Sequence, residues 1–277
     1  MKKFLSILSL TLGLLMCVTA FSACGGDDEP SSGGNSGSGS SDTPQTSKHV
    51  SKIITEEGNS IIERTLTYDS QGRVTKIIAT ESGTGTNSRS EKTYQYGETL
   101  ILTKEVEEGK YSSGQSYVRS ESHSYTIENG LIIKDVRDYI YNEGSSDKTT
   151  RIFSYDANKY LSSISRSYPD TDSETKAITW SDGNLTKLGK RSFEYSNHSW
   201  AKGFPFYIEG SNVDEILFAN GYYGNIPKNL QSKTYTSEKS GWTFEYTIEG
   251  NYVTKAVITP FVEDNKSHKS ISTIIWE

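Results

Sequence analysis

Sulfur is almost missing from this chain, which has two cysteines and two methionines in 277 residues. Met1, Met16 and Cys17 precede Cys24, and no sulfur-bearing side chain follows it. Disulfides, thiolate metal sites, cysteine nucleophiles and iron–sulfur clusters are therefore excluded from the body of the chain. Histidine is scarce too: His49, His123, His198 and His268 are scattered, without metal-ligand spacing. Each is read as a surface or packing residue. The chain has no phosphate-binding Gly-x-x-x-x-Gly-Lys-Ser/Thr loop, no Gly-x-Gly-x-x-Gly turn, no His-Glu-x-x-His pair and no Gly-x-Ser-x-Gly elbow. Asp170-x-Asp172-x-Glu174 begins like a calcium loop, but Thr175 stands where glycine is needed and Ser181 where a carboxylate is needed. Long apolar runs are also absent beyond residue 18. No catalytic residue, metal or cofactor is expected.

What is present begins at the first residues. Lys2 and Lys3 precede an apolar run from Phe4 to Val18, followed by Phe21-Ser22-Ala23-Cys24. A basic end, a short apolar core and small residues before a cleavage point form a secretory signal. The run is too short for a membrane span, which needs about 20 apolar residues. A cysteine directly after the small residues resembles the lipobox of bacterial lipoproteins. That resemblance implies a signal peptide over residues 1–23 and acylation of Cys24. Gly25 rather than aspartate follows the cysteine, and Asp27-Asp28-Glu29 resembles the acidic surface-export signal of Bacteroidales lipoproteins. The implied location is the outer membrane, lipid-anchored and facing the cell exterior.

Loss of Lys2 and Lys3 would take the formal charge from −6 to −8. An acidic chain does not gather the phosphate contacts that drive nucleic-acid binding, so no nucleic acid is expected. Membrane attachment would come from the acyl anchor rather than from charge. After Cys24, residues 25–47 are Gly, Ser, Asp, Glu, Pro, Thr, Asn and Gln and cannot bury enough apolar surface to offset ordering entropy. Residues 24–47 therefore read as a flexible tether with a root-mean-square reach of about 26 Å.

Residues 48–277 read as a single antiparallel β domain. Trp242, Phe244, Tyr246 and Ile248 alternate with Thr and Glu, and His123, Tyr125 and Ile127 continue the pattern elsewhere. Such period-2 alternation marks half-buried strands. A unit recurs in which an aromatic ends one strand, a polar turn follows and a second strand returns. Tyr125-Thr-Ile-Glu-Asn129-Gly130 matches Tyr246-Thr-Ile-Glu-Gly250-Asn251, with looser copies at Tyr68-Asp69, Tyr155-Asp156 and Trp180-Ser-Asp182-Gly183. Asn-Gly and Asp-Gly supply the positive φ angles of two-residue hairpins. Tyr68, Tyr96, Tyr125 and Tyr155 lie 28, 29 and 30 residues apart, a spacing that fits two strands with their turns. The expected fold is all-β, an antiparallel meander of repeated hairpins forming a curved sheet or partly closed barrel.

The Tyr-Asp hairpins resemble the repeats of shell-forming bacterial toxins, whose chains are far longer. With the lipobox and tether, residues from about 50 onward resemble a Bacteroidales lipoprotein family of unknown function with a porin-like domain. That resemblance brings no activity. A membrane barrel needs a lipid-facing apolar band, whereas Glu105, Glu107, Glu108 and Lys110 crowd one stretch and mean hydropathy is −0.60. The expectation is a water-exposed domain whose tyrosines supply much of the core while keeping their hydroxyls wet.

The stretch from 200 to 230 breaks the pattern. Ser211-Asn-Val-Asp214 resembles a capping box, and the residues near 213–220 predict one short helix. Trp200, Phe204, Phe206, Tyr222 and Tyr223 surround it. They predict either an internal plug or an aromatic binding platform. The leading expectation is a monomeric, non-enzymatic surface module for glycan or peptide. The alternative is a structural or assembly partner of an outer-membrane protein complex. A hydrolase is the third reading, since two carboxylates near each other suffice for one.

Overall fold

The structure is a computed structural model. It describes residues 48–83, 86–141, 145–169, 171–200, 204–205, 213–262 and 268–277. The first eight strands are β1 (Val50–Glu57), β2 (Ser60–Tyr68), β3 (Val74–Ser82), β4 (Thr86–Tyr96), β5 (Leu100–Tyr111), β6 (Ser116–Glu128), β7 (Leu131–Tyr141) and β8 (Ser145–Tyr155). Next come β9 (Leu161–Tyr168), β10 (Thr171–Ser181), β11 (Asn184–Leu188) and β12 (Arg191–Ser199). Helix α1 (Glu215–Ala219) precedes β13 (Asn229–Ser237), β14 (Ser240–Glu249), β15 (Tyr252–Val262) and β16 (Ser270–Trp276).

Every strand pairs antiparallel with its sequence neighbour, and β1 pairs with β16 through Ile53 opposite Ile274. The all-β antiparallel meander is as expected, but it closes into a full barrel rather than a curved sheet or partly closed barrel. Closure removes both free edges, each a row of unpaired amide and carbonyl groups. The described residues, from Lys48 to Glu277, form one compact unit.

The turns take the expected geometry. Asn129 and Gly130 have φ of 51° and 78°, and Asp182 and Gly183 repeat those values. In the Tyr-Asp copies the aspartate organises the loop. Asp69 accepts the amides of Gln71 and Arg73 at 2.9 Å each, and Asp156 accepts those of Asn158 and Tyr160 at 2.9 Å.

The repeated aromatics have a shared task. Tyr68 of β2 donates to the Val50 carbonyl at 2.7 Å, and Tyr96 of β4 to Val74 at 2.8 Å. Tyr155 and Tyr195 donate to Ile132 and Leu185 at 2.6 Å, while Trp180 and Trp276 reach Leu161 and Val253 at 2.9 and 2.7 Å. On six of the eight even-numbered strands, β2, β4, β8, β10, β12 and β16, a ring thus satisfies a carbonyl near the start of the preceding strand. The sequence repeat is a ring of such locks.

Register assigns the two faces of the wall. In β6, Tyr117, Arg119, Glu121, His123 and Tyr125 face the lumen, while Ser116, Val118, Ser120, Ser122 and Ser124 face outward. The outer surface also carries the Lys52–Glu63 and Arg89–Glu91 ion pairs. In β6 the large side chains point inward and, Val118 apart, small hydroxyl-bearing ones point out.

Candidate functional site

The connection from β12 to β13 enters the lumen as a plug, at the end where the turns following even-numbered strands lie. Asp214, not Ser211, is the N-cap of α1; Ser211 lies outside the described residues. The Asp214 carboxylate accepts the Ile216 and Leu217 amides at 3.0 Å each. It also accepts Lys92 Nζ of β4 at 2.7 Å and the Tyr94 hydroxyl at 3.1 Å. Burial opposes its ionisation, yet the Lys92 ammonium and the amides outweigh that and hold the carboxyl below its usual range. The same pairing raises Lys92 against the effect of its own burial. The helix ends at Asn220, one turn shorter than the predicted segment, and Gly221 follows at φ 82°.

Ile216, Leu217 and Phe218 are fully enclosed by inward residues of the wall, among them Val50, Ile101, Ile132, Leu161, Leu185 and Leu230. Of the five aromatics singled out from the sequence, Trp200, Phe204 and Tyr223 are buried in this core, with Tyr223 only 1% exposed. Tyr223 packs edge-on to Phe153 at 5.0 Å. Tyr222 is half-buried and stacks on Tyr96 at 6.0 Å. Phe206 lies outside the described residues. The packing makes Trp200 and Tyr223 the inner surface of the plug rather than an exposed platform. Among the four that are described, Phe204 also lines a cavity.

That cavity, about 450 Å³, lies on the lumen side of β14, β15, β16, β1 and β2. Trp242 and Phe244 form one side, Ile53, Ile258 and Ile274 the others, and Phe204 and Pro205 of the plug belong to its wall. Its charged groups are Arg64 and Glu215, 3.8 Å apart. The alternating Trp242-x-Phe244 pair was visible in the sequence. Its role as cavity lining was not, because the partner strands come from both ends of the chain.

The opposite wall is polar. A second cavity, about 360 Å³, is lined by Lys92, Glu121, His123, Arg137, Arg151 and Arg166, together with Tyr125, Val213 and Asp214. His123 is no surface residue. It is 7% exposed, with Nδ1 2.8 Å from Asp135 and Nε2 2.7 Å from Glu121. Burial works against its protonation, but the two carboxylates prevail and raise its pKa above 6.5. Glu121 also accepts Arg137 at 2.7 Å. Burial pushes the Glu121 carboxyl up, and the bonds from His123 and Arg137 more than reverse this, leaving it well below the usual range. Sequence reasoning missed this cluster. The signal was the run Arg119-x-Glu121-x-His123 at period 2, which resembles a solvated face. Among the described residues no group of His, Cys, Asp and Glu has the arrangement to hold a metal ion.

No curated protein matches the chain. Among solved structures, the chain is similar to a porin-like protein from Bacteroides vulgatus ATCC 8482, determined by crystallography at 2.80 Å resolution. The two are 9% identical, with a TM-score of 0.30 over 83% of this chain and 99% of the other. Residues 66–256 match a family described as a domain of unknown function with porin-like fold, DUF4595. With most of its barrel covered by that match, the chain belongs to the DUF4595 family of porin-like domains.

Proposed function

We propose that this protein is an acyl-anchored barrel of the outer membrane that binds a small ligand in its lumen, without catalysis. The observation that carries the binding reading is the cavity of about 450 Å³ bounded by Phe204, Trp242 and Phe244. Its size falls within the range of about 300–1,000 Å³ typical of small-molecule sites, which combine an apolar lining with a few polar groups. Of the two ligand classes expected, glycan and peptide, the mainly aliphatic and aromatic lining favours an apolar peptide side chain. A sugar would leave most of its hydroxyls without partners there, at a cost for each.

The outer surface supports attachment through a lipid rather than burial of the barrel in the bilayer. A membrane barrel presents an apolar band kept clear of charge, whereas the outward residues of β4 and β5 mix Leu100, Leu102 and Val106 with Arg89, Glu91, Lys104 and Glu108. The sequence around Cys24 supports an acyl anchor, and Asp27, Asp28 and Glu29 support export to the outer face.

Displacement of the neutral probe N-phenyl-1-naphthylamine from the purified protein tests the lumen site. Short phenylalanine-containing peptides should displace it and neutral oligosaccharides should not. Ala256 lines the cavity, so Ala256→Phe should weaken probe binding by about ten-fold or more, about 1.4 kcal/mol, without lowering the melting temperature. Unchanged binding in that variant overturns the lumen reading. Displacement by oligosaccharide alone moves the assignment to glycan. Co-purification with a membrane complex in the absence of probe binding favours the assembly role.

A further inference from the structure

The polar cavity holds more cationic charge than its ion pairs use. Lys92 is matched by Asp214, Arg137 by Glu121, and Arg151 by Asp135, whose Oδ2 lies 3.1 Å from Arg151 Nε. Arg166 of β9 has no such partner: Glu174 of β10 stands opposite it in the register, but among the described residues neither it nor any other carboxylate forms an ion pair with Arg166, whose Nε is buried without a hydrogen bond. Its guanidinium is held over the Tyr168 ring at 4.4 Å, which fixes the group without neutralising it.

A second feature adds to this. Arg166 stands directly opposite Arg151 in the β8–β9 register, with both side chains lining the same cavity. Like charges directly across a strand pair destabilise it, and Arg151 is only 5% exposed. The Nε of Arg151 is also buried without a well-aligned hydrogen bond, despite its closeness to Asp135. Two facing guanidiniums with unfilled donors inside a cavity form a receptor for a group with several acceptor oxygens, because the guanidinium fork matches carboxylate and phosphate geometry.

We propose that the polar cavity binds the oxyanion group of a small molecule, a carboxylate or a phosphate, between Arg166 and Arg151. Arg166 supplies the unneutralised charge and Arg151 the opposing donors. The Glu121 carboxylate, already held by His123 and Arg137, limits the site to one such group by repulsion. None of these residues lines the apolar cavity, so this site and the apolar site can fail separately.

The test compares inorganic phosphate and acetate with chloride at constant ionic strength, by calorimetry and by melting temperature. Saturable binding of phosphate or acetate to the wild-type protein is expected, and the better of the two identifies the oxyanion. Arg166→Gln should weaken it by about ten-fold or more, since a charge-assisted bidentate contact is lost, while N-phenyl-1-naphthylamine binding stays unchanged. Equal oxyanion binding in Arg166→Gln overturns the proposal. So does a wild-type protein that responds to phosphate and acetate no differently from chloride, a result that needs no variant to fold.

Discussion

The Tyr155 hydroxyl donates a 2.6 Å hydrogen bond to the carbonyl oxygen of Ile132, joining the end of β8 to the start of β7. Burial pushes this phenol's pKa well up, so it remains a neutral donor across any ordinary pH. Tyr155→Phe keeps the ring and removes only this lock. A loss of about 1–2 kcal/mol is expected, one hydrogen bond plus a partly buried carbonyl left unmade. Denaturant unfolding measures it, with Tyr235→Phe as the control, because the Tyr235 hydroxyl makes no hydrogen bond among the described residues. Equal losses in both would mean that the lock contributes nothing.

Gly130 and Gly224 both have positive φ, at 78° and 84°, but differ in surroundings. A Cβ at Gly130 would meet nothing within 4 Å, whereas one at Gly224 would lie 2.1 Å from the Lys159 carbonyl oxygen. Gly130→Val should therefore cost about 1–3 kcal/mol from backbone strain alone. Gly224→Ala adds a clash with backbone and should cost more, despite the smaller side chain. The reverse order in thermal melts would show that the plug, not the turn, is the softer element.

Asp214 is the joint between plug and wall. Asp214→Ala removes the cap of α1 and leaves the Lys92 ammonium without its partner in a mostly buried position. The expected loss is about 3–5 kcal/mol, as for other broken buried pairs. Adding Lys92→Met should recover part of it, because the stranded charge goes too. A double variant no better than Asp214→Ala would mean that the cap, not the ion pair, carries the effect.

The buried charges also fix a pH window. His123 has its pKa raised above 6.5, so its contribution is full below that value and is lost as pH climbs through the raised folded pKa. Glu121 and Asp214 are lowered from 4.5 and 3.8, so their contribution is full above those values and is lost as pH falls through the depressed ones. Stability should therefore be greatest between about pH 4.5 and 6.5. His123→Gln should flatten the alkaline side and leave the acid side falling. A wild-type curve still rising from pH 6.5 to 8.5 would contradict this arrangement.

The anchor is tested apart from the fold. Cys24→Ser offers no thiol, so fatty-acid labelling should vanish and the protein should move to soluble fractions. Replacing Asp27, Asp28 and Glu29 with alanine should keep the label and remove protease accessibility on intact cells. A wild-type protein that is membrane-bound but unlabelled would end the lipobox reading.

The parts of this fold that were legible in the sequence are those encoded locally. Alternation in Trp242–Glu249 marked a strand, and Asn129-Gly130 and Asp182-Gly183 marked hairpins, because a strand or turn needs only its own few residues. Closure was not legible. Nothing in the sequence near Ile53 specifies that Ile274 will sit opposite it, since that pairing depends on how many strands the accumulated twist and stagger admit. The polar cavity stayed hidden for a related reason. Arg119, Glu121 and His123 look solvated until the lumen proves wide enough to hold ion pairs, with Ser120 and Ser122 outside. The plug lay between these cases: its cap and hydrophobic turn were readable, but which of its rings would be buried depended on the wall around them.

The β1–β16 seam also sets the order of events on the ribosome. Val50 of the first strand pairs with Trp276 of the last, so β1 must wait for all the strands between them. Until then a growing sheet carries two exposed edges, which invite pairing with other chains. A nascent chain stalled before Ser270 would keep β1 and β15 open and would be prone to assemble edge to edge. Folding delayed until the last strand is available would spare the protein that hazard.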